Sequence, residues 1–175
     1  MIDVVLAAGY ATRMYPLTEN FPKPLLEIKG KAILDHLLED IDAIDDVTAH
    51  VVVTNHKFIG FFREWKKNSR LKKPITIIDD GSVDNEHRLG AVKDLILAIG
   101  DDVQNDYLVV AADNLLDFSL KGFVDFFDIR FAEYGQGAVS QFFIHKIHRC
   151  FFIHTGHPRS DCFFDSLISN CPMLL

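Results

Sequence analysis

The sequence predicts an α/β fold, doubly wound, around a mostly parallel sheet. Short apolar runs of strand length alternate with segments of helical period from residue 2 to residue 131. That alternation implies βαβ units with right-handed crossovers. The first run is apolar almost throughout, as a strand covered on both faces must be. At 175 residues, 49% of them hydrophobic, the chain is long enough to bury one sizeable core.

Ile2 to Ala8 reads as the first strand, closed by Gly9, and a turn-rich stretch follows to Pro24. Over residues 31–44, Ile33, Leu34, Leu37, Leu38 and Ile41 fall at helical spacing with acids between them, which predicts an amphipathic helix. Val47 to Thr54 is the second strand. Phe58, Phe61, Phe62 and Trp65 recur at i, i+3, i+4 and i+7 and predict a second helix with a basic outer end. Pro74 to Ile78 is the third strand, residues 90–99 a helix, and Tyr107 to Ala112 the fourth strand. Leu120, Phe123, Val124, Phe127 and Phe131 then mark one face of a further helix.

Charge and cysteine content exclude several functions. The net charge is −7 and the sequence pI about 5.5, so a general binder of phosphate backbones, which needs a basic face, is not expected. Three cysteines do not form a disulfide framework, and the N-terminus has no basic-then-apolar leader. These features predict a soluble protein of the reducing cytoplasm, with neither nucleic acid nor membrane as partner. Composition changes at Gly135. All three cysteines and four of the eight histidines lie beyond it, and the net charge is −8 over residues 1–134 against +1 for the rest. The reading is an α/β core over 1–134 followed by an atypical Phe/His/Cys-rich stretch over 135–175, either part of the same domain or a truncated second half.

In a doubly wound fold, ligands bind beyond the carboxyl ends of the strands. The first such loop runs from Ala7 to Pro24. There Gly9 allows backbone amides to approach a phosphate, and Arg13 and Lys23 supply positive charge inside an acidic chain. On local physics alone, an ordinary turn with two surface cations is an equal reading. No Walker sequence and no G-x-G-x-x-G is present.

The string Leu6-Ala-Ala-Gly-Tyr-Ala-Thr-Arg-Met-Tyr-Pro-Leu-Thr, followed by Pro22-Lys-Pro-Leu-Leu, resembles the signature of the sugar-1-phosphate nucleotidyltransferases, the family of glucose-1-phosphate thymidylyltransferase. The resemblance implies a Rossmann-like sheet of the nucleotide-diphospho-sugar transferase type. It also implies that Leu6, Ala7, Ala8, Gly9 and Thr12 wrap a nucleoside triphosphate. Arg13 would then steady the leaving pyrophosphate, and Lys23 would contact the phosphates at the reacting centre. The family's commonest form has glycine where this chain has Ala11, which is acceptable if Ala11 keeps a negative φ.

After the third strand, Asp79-Asp-Gly and Arg88-Leu-Gly-Ala resemble the segments that read the nucleobase. Gly90 is the expected base platform and Asp80 a second candidate, with a solvated turn the alternative for Asp79 and Asp80. Asn55 either lines the same cleft or caps the helix beginning near Lys57. Ala111-Ala-Asp-Asn resembles the family's metal aspartate motif, so Asp113 is the expected Mg²⁺ ligand; the alternative is that Asp113 or Asn114 caps the helix near Ser119. The implied reaction joins a sugar-1-phosphate to a nucleotide from dTTP, UTP or CTP with release of pyrophosphate. A nucleotide-binding remnant and a phosphocholine cytidylyltransferase-like enzyme are the alternatives.

The resemblance covers about residues 1–132 and then ends. No Glu-Lys-Pro segment occurs, and Asp161 and Asp165 stand in no context like the family's second metal aspartate. The expectation is a stretch truncated, replaced or translated out of frame. His145, His148, Cys150, His154, His157, Cys162 and Cys171 are of zinc-ligating type, but their spacing matches no ordinary pairing and incidental residues are the preferred reading. An open sheet edge and an apolar tail predict self-association into a homo-oligomer.

Overall fold

A computed structural model describes residues 1–102, 105–116 and 118–125, and the backbone of 150–153. Its main sheet has five strands: β1 (Ile2–Leu6), β4 (Ala49–Thr54), β5 (Ile75–Asp79), β6 (Tyr107–Ala111) and β7 (Cys150–Ile153). The spatial order is β5-β4-β1-β6-β7, with the first four parallel and β7 antiparallel to β6. The doubly wound reading therefore holds. The strand order reverses at β1, so the crevice between the carboxyl ends of β1 and β6 is the topological switch point.

Three helices return the chain between parallel strands: α1 (Ile33–Asp42), α2 (Ile59–Asn68) and α3 (Ala91–Ile99). Leu34, Leu37, Leu38 and Ile41 of α1 pack with Phe58 and Phe62 against Val5, Val52 and Val110 on one sheet face. Leu95 and Ile99 of α3 pack against Val4, Tyr107 and Val109 on the other. Helical residues 120–125 add Leu120 and Val124 to the first face. Ser119 and Leu120 at their start both donate to the Asp40 carboxylate, at 2.9 and 2.7 Å, so α1 anchors that helix. Phe127 and Phe131 lie outside the described residues.

Several boundaries differ from expectation for physical reasons. α1 starts at Ile33, not residue 31, because Lys31–Ala32 form strand β3, paired antiparallel with β2 (Glu27–Ile28). The turn between them has Lys29 at φ +55° and Gly30 at φ +76°, the two positive φ values of a tight hairpin turn. Val47 stands outside β4, closing a turn by donating to Ile44 O at 3.2 Å. Phe61 belongs to no core: it is 40% exposed and meets Phe21 of the first loop edge-on at 5.2 Å. The edge of β6 is not open, because β7 pairs along it from Tyr107↔Ile153 to Val110↔Cys150.

Candidate active site

The loop after β1 is built to stay in place. Ala7 N donates to Val53 O of β4 (2.8 Å), and Ala8 O accepts from Asn55 Nδ2 (3.0 Å). Asn55 Oδ1 in turn accepts from Phe58 N at 3.0 Å. Asn55 thus caps the turn leading into α2, one of its two expected roles, and, fully buried, it holds the loop after β1 rather than lining the cleft. Tyr10, buried, donates its hydroxyl to Ser82 O at 2.8 Å, which ties this loop to the one after β5. Leu6 ends β1, Gly9 is exposed, and a Cβ at Gly9 would meet nothing within 4 Å.

The left-handed residue of this loop is Ala11, at φ +48°, ψ +40°. The expectation of a negative φ is corrected. Ala11 O accepts from Thr18 Oγ1 at 2.8 Å and from Met14 N at 2.9 Å, so the surrounding turn holds Ala11 in a region that a Cβ disfavours. Thr12 and Arg13 follow in a single helical turn, Thr12–Met14, both exposed. Arg13 makes no ion pair or hydrogen bond among the described residues.

Lys23 opens the turn Lys23–Leu25, fixed by Pro22 and Pro24. Its Nζ reaches across the switch point to Asp113 Oδ2, 2.9 Å away, with the two side chains 26% and 28% exposed. One cation from the β1 loop and one carboxylate from the β6 loop therefore meet where the fold places a ligand. Neither Asp113 nor Asn114 caps the helix at residue 120, since Asp40 and Ser119 do so. Asn114 Nδ2 instead reaches Ala111 O at 3.5 Å.

In the loop after β5, Asp80 and Ser82 are buried while Gly81 and Val83 are exposed. Asp80 is 8% exposed, and its carboxylate accepts from Ser82 N (2.7 Å) and Ser82 Oγ (2.7 and 2.9 Å). The solvated turn is thereby corrected for Asp80, which shapes its own loop, whereas Asp79 stays partly exposed. Asp79 accepts from Gly81 N at 2.8 Å and lies 2.6 Å from exposed His56 Nδ1; its pKa is lowered by these hydrogen bonds, which outweigh burial. Gly90 caps α3 at φ +87°, ψ +158°, a backbone essentially restricted to glycine.

Sequence reasoning missed Asp94. It lies one turn into α3, is 5% exposed, and its Oδ1 is buried with no hydrogen-bond partner among the described residues. Burial first, then the charge of Asp80, raises its pKa to about 7. Its signal was a carboxylate in the sheet-facing stripe with Leu95 and Ile99, which the helical period alone would have exposed.

For a metal, Asp113 offers a hard oxygen donor in a place that already attracts the ammonium of Lys23. Among the described residues no group of three or more His, Cys, Asp or Glu could hold an ion. That donor set fits Mg²⁺ only where substrate phosphates complete the shell, which is the ion's common habit. The His/Cys set of the tail lies outside the described residues, apart from the backbone of Cys150.

A model of the nucleotidyl transferase family matches residues 2–146, past the compositional step at Gly135. The bifunctional protein GlmU of Methanocaldococcus jannaschii is 29% identical over 127 residues, 72% of this chain and 28% of the relative. The N-acetylmuramate alpha-1-phosphate uridylyltransferase of Caulobacter vibrioides is 36% identical over 102 residues, 57% of this chain and 41% of the relative. This chain thus spans less than half the length of either. Among solved structures, a glucose-1-phosphate thymidylyltransferase of Bacillus anthracis superposes with a TM-score of 0.63 at 20% identity, over 74% of this chain and 51% of the other. A UDP-glucose pyrophosphorylase in complex with UDP-glucose gives 0.57 at 18%, over 74% and 53%. Their likeness is one of fold, while the family model covers most of the sequence. The chain belongs to the nucleotidyl transferase family.

Proposed function

We propose that this chain carries the nucleotide-binding part of a sugar-phosphate nucleotidyltransferase. A phosphate oxygen of a sugar-1-phosphate attacks the α-phosphorus of dTTP, UTP or CTP, the bond from that phosphorus to the β-phosphate oxygen breaks, and pyrophosphate leaves. The observation that carries this reading is the Lys23–Asp113 pair at the switch point. A transferred α-phosphate needs positioning and charge neutralisation rather than an activated nucleophile, and a mobile lysine and a carboxylate facing each other supply both kinds of contact.

In this reading the loop Leu6 to Thr12 lies along the triphosphate, presenting backbone amides from Gly9 onward. Arg13, exposed and unpaired among the described residues, steadies the pyrophosphate. Lys23 would turn from Asp113 to the phosphates, and Asp113 would be the residue that holds Mg²⁺. The ion, when bound, neutralises charge on the phosphates. Gly90, whose backbone tolerates no side chain, lies under the base, and Asp80 keeps the adjoining loop in shape.

Pyrophosphate release, assayed with each triphosphate and a set of sugar-1-phosphates, tests the reaction, with Arg13→Ala abolishing the turnover while the fold is retained. The chain's share of its relatives favours a second reading, a module that binds nucleotide without turning it over. Stabilisation by UTP, dTTP or CTP with Mg²⁺ in a thermal melt, with no pyrophosphate released, selects that module. No stabilisation and no turnover rejects both.

A further inference from the structure

We infer that Tyr10 is a positioning residue for the triphosphate: its buried side chain holds residues 9–13 against the loops after β4 and β5, so phosphate binding depends on a hydroxyl engaged only with the protein. This rests on the nucleotide-binding reading above and concerns what keeps its phosphate loop in place.

The stretch has little backbone bonding of its own. Up to Ala8 the loop is tied to β4 and its following turn, through Ala7 N on Val53 O and Asn55 Nδ2 on Ala8 O. Further on, Thr18 Oγ1 and Met14 N hold the Ala11 carbonyl. Among the described residues the amides of Gly9, Tyr10, Ala11, Thr12 and Arg13 donate to no protein acceptor, so no backbone ladder fixes their positions. Of these five residues only Tyr10 is buried, at 3% exposure.

Tyr10 supplies what the backbone lacks. Its ring lies 6.1 Å from that of Phe58, tilted by 44°, and its hydroxyl donates to Ser82 O at 2.8 Å. The Ser82 carbonyl also accepts from His56 N at 2.9 Å, and Phe58 N is fixed on Asn55 Oδ1. Asp80 N on Thr54 O, and Ser82 N and Oγ on the Asp80 carboxylate, complete this floor. The loops after three neighbouring strands, β1, β4 and β5, thus meet at one carbonyl. Past Ala8, Tyr10 is the side chain that joins the phosphate loop to it.

The same geometry separates positioning from stability. In Tyr10→Phe the ring keeps its place beside Phe58, and Ser82 O keeps His56 N, so no buried acceptor is orphaned. What is lost is the setting of residues 9–13 against the cleft. Donors held in place before the ligand arrives cost least to use, and a loosened set must be ordered at the moment of binding. In the reading above this stretch runs along the triphosphate toward the pyrophosphate, so the loss falls on a triphosphate and spares a monophosphate.

The test is calorimetric titration of the full chain, with Mg²⁺, using whichever of UTP, dTTP and CTP the wild type binds most tightly, and the matching monophosphate. The variants are Tyr10→Phe and Thr18→Val, which removes the other side-chain restraint on the stretch. Trp65→Phe is the control: it loses a hydrogen bond between α2 and α1, from Nε1 to Asp35 Oδ1 at 2.7 Å. Circular dichroism and melting curves establish that each variant is folded. We expect Tyr10→Phe to bind the triphosphate about three- to tenfold more weakly, the effect of one hydrogen bond, and the monophosphate within about twofold of wild type. Thr18→Val should shift the ratio of the two affinities in the same direction, and it decides alone if Tyr10→Phe does not fold. Trp65→Phe should lower Tm and leave the ratio unchanged. Unchanged triphosphate affinity in Tyr10→Phe overturns the role of Tyr10 while nucleotide binding stands. Equal weakening of both nucleotides, or the same shift in Trp65→Phe, also overturns it by showing a structural role alone. A wild-type chain that binds no triphosphate overturns the underlying reading as well.

Discussion

Replacing Asp113 by Asn should strengthen the binding of metal-free nucleotide, and should do so chiefly while Lys23 is present. In the structure Lys23 Nζ is held by Asp113 Oδ2 at 2.9 Å, so a triphosphate that recruits Lys23 must first break this contact. Two unit charges at that separation attract by about 6 kcal/mol at an effective dielectric constant near 20. Both side chains are about a quarter exposed, so solvent screening and desolvation leave a net coupling of about 1–2 kcal/mol, above a fully exposed pair and below a buried one. Releasing the lysine should therefore improve the affinity for UTP in EDTA by about 5- to 30-fold. Removing a negative charge near a triphosphate also helps in itself, so the measurement has to be a cycle. Calorimetric titration of the wild type, Asp113→Asn, Lys23→Met and the double variant separates the two effects. We expect the gain from Asp113→Asn to shrink to a small residue in the Lys23→Met background. An equal gain in both backgrounds would show that the pair sequesters nothing and that bulk charge alone is at work.

Two further outcomes follow from local geometry. Asp94 has a folded pKa of about 7 against an ordinary 3.8, so the folded chain retains its proton where the unfolded chain has lost it. That contribution to stability is complete below pH 4, declines between pH 4 and 7, and is gone above; Asp94→Asn should remove this slope and be more stable than wild type at pH 8 by about 2–4 kcal/mol, read from urea melts at a series of pH values, where parallel curves would refute it. Ala11→Gly relieves a left-handed conformation worth about 1–2 kcal/mol at an entropic cost of about 0.4–1 kcal/mol. The expected result is a gain of about 0.5 kcal/mol, a rise of one to two degrees in Tm for a domain of this size, and a lower Tm would show that Ala11 is not strained.

The fold was legible because its signal is repeated. Each parallel strand is a short apolar run, and each helix places its apolar residues at i, i+3 and i+4, so Val5, Val52 and Val110 could be assigned to the same sheet without knowing their neighbours. What escaped is what depends on a single pairing. Asp3 sits inside the first apolar run and is fully buried there, because its strand partner His50 offers Nδ1 at 2.9 Å. Asp42 meets the other ring nitrogen at 3.3 Å and also accepts from the amides of Lys72 and Lys73. Burial raises the pKa of Asp3 in spite of the histidine. This network lies at the amino ends of the strands, away from the ligand edge, and no periodicity announces it. The β2–β3 hairpin escaped for a related reason: two residues per strand are too few to show an alternation, and Lys29 is not a residue that a tight turn demands.

The site divides along the same line. Lys23 and Asp113 are 90 positions apart, yet both could be assigned to one cleft, because a doubly wound order puts the loop after the first strand beside the loop after the fourth. That inference needs topology alone. Whether a candidate side chain is free to meet a ligand needs coordinates, and here the candidates separate. Asp80 was a candidate as a carboxylate in a strand-end loop, and Ser82 already occupies it. Asp94 was not a candidate, since a carboxylate in a helix reads as a solvated residue, and its Oδ1 is buried without a donor among the described residues. Sequence ranks acids by the loop they stand in; a ligand responds to the hydrogen bonds they lack. The two rankings agree for Asp113, which holds a partly exposed lysine that a phosphate can attract away, and they invert for Asp80 and Asp94. The acid most worth mutating in a chain of this family is thus found by asking which buried oxygen the protein leaves for something else to satisfy.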